Sequence, residues 1–144
     1  MPKNKKKAIK RKSGFVVLRE RLNNNPLEVY TYGGRDYATP NGMPSLVKVL
    51  GQHFEVRYHS CIYAAPKSSE RLRGIVMYGQ RLIVIDPRQS IHSLRETLYH
   101  EMAHVYLHYW QTKSPALAKL SPLQVEEVCD MFSEGYYDAL LNNS

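Results

Sequence analysis

The amino-acid sequence predicts an α+β domain in which a small, three-stranded, mainly antiparallel sheet packs on two helices near the C-terminus. Three observations carry this expectation. Residues 54–58 (FEVRY) alternate apolar and polar side chains, the period of a half-buried strand. Residues 74–78 (GIVMY) and 82–85 (LIVI) are β-branched runs separated by Gly79-Gln80, which reads as a hairpin. After Asp86-Pro87 the signals become helical. Ser90 or Ser93 can cap a helix running to about Trp110. Ser121-Pro122-Leu123-Gln124 then joins a cap, a first-turn proline and a capping box ahead of a second helix running to about Leu141.

The remaining elements follow in order. Residues 14–22 (GFVVLRERL) are amphipathic and suit either helix or strand, and Asn23-Asn24-Asn25-Pro26 breaks them. Residues 27–32 read as a strand closed by Gly33-Gly34, and 35–43 as loop. Pro44 and Ser45 are expected to open a short helix over 46–50, with Gly51 as its stop. Residues 61–64 extend or follow the strand at 54–58. Residues 66–73 read as loop, and 112–120, which contain Pro115, as a connection. A chain of 144 residues fits one compact domain. Its expected organisation is a basic disordered tail over 1–13 and a single domain over 14–144.

The net charge of +7 belongs to the tail. Lys3, Lys5, Lys6, Lys7, Lys10, Arg11 and Lys12 stand there without an acid, which leaves 13 basic and 13 acidic residues for the rest. The folded part therefore has no compositional basic patch. Residues 3–12 read as a solvated arm with weak contact to nucleic acid or an acidic partner. No run of about 18 apolar residues is present, so no membrane span is expected. No apolar stretch follows the N-terminal charges, so no secretory signal is expected. Two cysteines, Cys61 and Cys129, with unrelated spacing indicate neither a disulfide framework nor a cysteine metal site, and suggest a reducing, cytoplasmic setting.

The chemistry-bearing segment is His100-Glu101-Met102-Ala103-His104. A spacing of four on a helix puts both imidazoles on one face, where they can share a tetrahedral zinc ion. Glu101, beside the first ligand, is placed to take a proton from a zinc-bound water as general base. A catalytic zinc needs a third protein ligand. A histidine six residues after His104 would supply one, but Trp110 stands there. A carboxylate on the second helix is the alternative, and Glu126 and Asp130 lie on it. On a helical projection Glu126 shares its face, within about 60°, with Cys129, Ser133, Tyr137 and Leu140, whereas Glu127 points outward. An inward carboxylate among apolar neighbours costs several kcal/mol (roughly 2–7 for an unpaired polar group), which a cation offsets. Zinc is therefore assigned to His100, His104 and Glu126, and Asp130 to orienting a histidine ligand through its other ring nitrogen.

His108 continues the four-residue spacing, but three consecutive turns do not converge on one ion, so it reads as packing. His53, His59 and His92 have no such spacing and read as surface residues. An oxyanion stabiliser is expected, and Tyr137, on the face of Glu126, is one candidate among 11 tyrosines. Tyr99 and Tyr106 sit on the first helix, off the ligand face.

Residues 74–141 resemble the ImmA/IrrE-type metallopeptidases, an HExxH family often encoded by phages and mobile elements. The likeness lies in the strand LIVID, in the helix from Arg95 through His100-Glu101-Met102-Ala103-His104 to Leu107-His108, and in the acidic helix Glu126-Glu127-Val128-Cys129-Asp130-Met131-Phe132. Cys129 stands where the family usually has a small alanine. The resemblance implies a zincin-like domain with zinc at His100, His104 and Glu126 and Glu101 as base, in a host cytoplasm. The expected activity is a zinc-dependent intracellular endopeptidase acting on a protein substrate, itself a regulator by analogy. The strand over 82–85 is expected to offer its edge to an extended peptide. The alternative is a non-catalytic, zinc-stabilised regulatory module that contacts its partner through residues 3–12.

Overall fold

The structure, a computed structural model, describes residues 11–12, 15–22, 25–32, 34–63 and 71–143. Ten strands and three helices occur among them. In order these are β1 (Arg11–Lys12), β2 (Phe15–Leu22), β3 (Asn25–Tyr32), β4 (Asp36–Tyr37), β5 (Leu46–Val49), β6 (Gln52–His59), β7 (Ile62–Tyr63), β8 (Arg71–Leu72), β9 (Gly74–Met77), β10 (Leu82–Ile85), α1 (Ile91–Gln111), α2 (Pro115–Ala118) and α3 (Pro122–Asn143). The class is α+β. Of the tail expected at 1–13, Arg11 and Lys12 pair with β2 as β1. Residues 1–10 and 13 lie outside the described residues.

The sheet that positions the helices is mixed and has five strands, in place of three mainly antiparallel ones. β10 pairs in parallel with β6, Ile83 opposite Val56 and Ile85 opposite Tyr58, and antiparallel with β9. Three strands pair with β6: β10 spans Glu55 to Tyr58, β5 takes one end and β4 the other. β4 and β5 must therefore share the edge of β6 that β10 leaves open. The hairpin expected at 74–85 forms, with Tyr78–Arg81 as its turn and Arg81 N–H donating to the Tyr78 carbonyl at 3.1 Å.

Residues 46–50 correct the expected helix. Leu46–Val49 form β5, hairpinned to β6 with Val49 opposite Gln52. The two loop residues, Leu50 and Gly51, both have positive φ (52° and 79°), the twist that a two-residue hairpin requires. Gly51 is thus a turn residue and not a helix stop. Val47 and Val49 point to the core side while Leu46 and Lys48 face solvent, a period of two.

A second sheet, of order β1-β2-β3-β7-β8, was not foreseen in its pairing. The chain passes into it at Cys61, whose φ of 59° turns the backbone from β6 into β7. Asp86, nearly buried, receives the Cys61 N–H at 3.2 Å and an Arg88 N–H at 3.1 Å. These bonds tie the switch between sheets to the end of β10.

Every residue of β10 is buried, as expected for a strand covered on both faces. On one face Ile83 and Ile85 join Val56, Tyr58 and Val76 against Leu94, Leu98 and Val105 of α1. On the other, Leu82 and Val84 join Met77 against Ile62 of β7. The caps fall as expected. Ser90 accepts from Ser93 N–H at 3.1 Å, and Ser121 and Gln124 bond reciprocally at 2.8 and 3.1 Å. The 112–120 connection contains the one-turn α2, capped by Ser114. α3 then returns antiparallel along α1.

Candidate metal centre

The antiparallel return of α3 sets facing residues on the two helices turn by turn. Glu126 reaches both histidines: its Oε1 lies 3.2 Å from His100 Nε2 and its Oε2 2.9 Å from His104 Nε2. The two Nε2 atoms are themselves 3.2 Å apart. Tetrahedral ligands at ~2.0–2.1 Å from zinc lie about 3.3 Å from one another; the two histidines meet different oxygens of Glu126, and one ligand atom from each of the three residues lies within 4.8 Å of the others, close enough to surround one ion. The three residues form a group that can hold a metal ion.

Asp130, one turn further along α3, lies 2.9 Å from His100 Nδ1. An N–H donated from Nδ1 to that carboxylate leaves the Nε2 lone pair directed at the shared point. Burial lowers the pKa of His104, which favours the neutral imidazole that a metal ligand must be. Each expected ligand is thus brought into the group. The reason offered for Glu126 needs correction, however. Its side chain is 55% exposed and faces an open cleft, so no large desolvation cost bears on it. The helical facing holds in part: among the described residues of α3, Cys129, Ser133 and Tyr137 are buried, whereas Leu123, expected within about 60° of Glu126, is 69% exposed, and the side chain of Leu140 lies outside the described residues. Glu127 is exposed and lies outside the cleft lining.

The buried carboxylate is Glu101, 6% exposed at the wall of the same cleft of about 670 Å³. Burial, and then the negative charges of Glu126 and Asp130, push its pKa up to about 8. Glu101 faces Gly74 of β9, where an added Cβ would lie 2.9 Å from Thr97 Cγ2 and 3.2 Å from both Cγ and Oε2 of Glu101. Strand and helix approach this closely only because position 74 has no side chain. Gly74→Ala is expected to cost about 1–3 kcal/mol, the range for overpacking, and to displace the Glu101 carboxylate. Urea unfolding of the two proteins measures the loss.

The raised pKa of Glu101 has a sign that can be worked out. Between the ordinary carboxylate range and about pH 8 the folded, metal-free chain holds a proton that the unfolded chain has released. Stability must then fall as pH rises through that window and level off above it. Unfolding in excess chelator from pH 5 to 9 should show this decline for the wild type, and a shallower one for Glu101→Gln.

Other expectations sort by position. Cys129 is fully buried, and burial raises its thiol to about 12, so it remains a neutral packing group. Tyr137 is directed elsewhere: its hydroxyl is hydrogen-bonded to His92 Nδ1, and it does not line the cleft. Tyr99 packs on Tyr136 and Tyr137, and Tyr106 on Phe132. His108 packs as expected, stacked on Tyr78 with ring centroids 4.2 Å apart. His59 is not a surface residue. It is 16% exposed and bonds Asp36 at 2.7 Å.

The sequence reading places Gly74 and Tyr78 on a strand and Arg73 in a loop but gives none of them a place at the site, although all three line the cleft. Tyr78 donates to the His104 carbonyl at 3.3 Å, which joins the hairpin to α1. The expected peptide edge also moves. β10 lies inside the sheet, and β9 is the terminal strand, with no partner on its outer edge among the described residues. Comparisons with protein-family models, with curated proteins and with solved structures give no match. Among the described residues, no helix is long and apolar enough to cross a membrane.

Proposed function

We propose that this chain is a zinc-dependent endopeptidase acting on a protein substrate. The observation that carries the reading is the array of His100 Nε2, His104 Nε2 and the Glu126 carboxylate, with mutual separations of 2.9–3.2 Å, in one cleft with the buried Glu101. Bound there, zinc would supply a Lewis acid that polarises a peptide carbonyl and acidifies water. The chain's own residues do the rest. Asp130 holds the His100 ring. Glu101, shielded from solvent and with a high proton affinity, takes a proton from the attacking water and delivers it to the leaving amine.

The outer edge of β9 gives an extended peptide backbone groups to pair with, beside Gly74 and within the cleft. The resemblance of residues 74–141 to the ImmA/IrrE-type peptidases agrees with this reading, and we extend it to a zincin-like domain. Both cysteines are free, which fits the cytoplasmic setting we propose. The basic residues over 3–12 are assigned weak contact with nucleic acid or an acidic partner.

The test is hydrolysis of an unstructured peptide library by the zinc-loaded chain, read by mass spectrometry. Cleavage should disappear on chelation and return with zinc. Cleavage that persists at full rate in excess chelator would contradict the proposal.

A further inference from the structure

β9 carries the edge offered to the substrate, and α1 carries Glu101 and both histidine ligands, so the reaction depends on holding the two at one separation. At the Tyr78 end the hairpin supplies the link itself, from the Tyr78 hydroxyl to the His104 carbonyl at 3.3 Å. At the Gly74 end the strand has no side chain to give, and an added Cβ would meet Thr97 Cγ2 at 2.9 Å. The link there comes from Gln89, half-buried in the loop ahead of α1. Its Nε2 donates to the Asp86 carbonyl at 2.7 Å and reaches the Arg73 carbonyl, more weakly, at 3.5 Å. Asp86 N–H in turn donates to the Arg73 carbonyl at 2.8 Å, one residue beyond the pairing of Ile85 with Gly74. On the other side, Gln89 Oε1 receives the hydroxyls of Ser93 at 2.7 Å and Thr97 at 2.9 Å, both on α1.

These partners orient the amide. Carbonyls only accept, so its nitrogen must face Asp86 and Arg73, and its oxygen only accepts, so both hydroxyls must donate to it. Thr97 is the partner with consequences for the site. It is buried, and it lines the metal cleft. A helical threonine divides between two χ1 wells. The bond to Gln89 selects the well that sets the Thr97 methyl against Gly74, one turn before Glu101. Glu101 Cγ lies 3.2 Å from the position of the same added Cβ, so strand, Thr97 methyl and Glu101 meet at one point. Gln89 itself does not line the cleft. We infer that Gln89 is a positioning residue: through Thr97 it sets the separation of the substrate-bearing strand from the Glu101 carboxyl. A misplacement of about 1 Å at a reacting centre can cost ~10²-fold in rate. The inference rests on the peptidase reading and adds to it a residue outside the cleft.

Gln89→Ala and Thr97→Val test it in the zinc-loaded chain, with rates scaled to the folded fraction from urea unfolding. Each should lower kcat at least tenfold and leave KM within threefold, because the edge of β9 keeps its backbone groups but stands at the wrong distance from the base. Zinc affinity, by calorimetry, should stay within twofold of wild type. The double variant should lose no more than the larger single loss, since Gln89 acts through Thr97. A kcat per folded molecule equal to that of wild type in either variant overturns the positioning role, and so does a loss of zinc affinity as large as the loss of kcat. A second readout needs no cleavage. The Asp86 amide should exchange with solvent at least tenfold faster in Gln89→Ala than in wild type. The Arg81 amide, bonded to the Tyr78 carbonyl at the other end of the hairpin, should stay within threefold. Unchanged exchange at Asp86 overturns the link. Faster exchange at Asp86, when wild type cleaves no peptide, keeps the link and overturns the peptidase reading alone.

Discussion

Glu101→Gln is expected to lower kcat for peptide hydrolysis by ~10²–10⁴-fold, the range for removing a positioned proton-transfer group. Zinc affinity should change little, because Glu101 lies outside the group formed by His100, His104 and Glu126. The substitution preserves shape in a buried site where shape matters, as the close approach of Gly74 shows. It also removes a carboxyl whose charged form burial disfavours. The variant should therefore be no less stable than wild type at neutral pH without metal, and lost activity cannot be assigned to unfolding. A variant that bound zinc and cleaved at the wild-type rate would exclude Glu101 as the base. If no peptide were cleaved by either protein, the same ligands would serve a zinc-stabilised module.

The second large effect separates two adjacent glutamates. Glu126→Ala should weaken zinc binding by more than ~10²-fold, since loss of a supporting residue behind a ligand already costs ~10–100-fold. Glu127→Ala should bind as wild type does, because Glu127 is exposed and outside the cleft. The difference appears in stability as well. With free zinc at 1,000 times the wild-type Kd, binding adds ~4 kcal/mol to folding, and a 100-fold loss of affinity leaves ~1.4 kcal/mol. Zinc titrations followed by calorimetry and by thermal unfolding measure both quantities. Equal behaviour of the two variants would remove Glu126 from the site.

The legible parts of the sequence were those set by local chemistry. The caps at Ser90 and Ser121 mark helix starts because side-chain oxygens satisfy specific backbone N–H groups. The 3.6-residue period separated Glu126 from Glu127, and the four-residue spacing aligned His100 with His104. What escaped depends on contacts distant in sequence. A five-residue run such as 46–50 has no decisive period, and its strand identity comes from pairing with β6 and from positive φ at Leu50, where a leucine gives no warning. The parallel pairing of β6 with β10 joins residues about 27 apart and leaves no local mark, so the sequence points to β10, and not to its hairpin partner β9, as the open edge. The exposure of Glu126 follows from the width of the cleft, which one helix's projection does not contain.

The central claim is that His100, His104 and Glu126 hold one zinc ion. Crystals grown with zinc, measured on both sides of the zinc absorption edge, test it most directly. The account predicts one anomalous peak at ~2.0–2.2 Å from His100 Nε2, His104 Nε2 and a Glu126 oxygen. No peak between these residues, or a peak that leaves out Glu126, would contradict it.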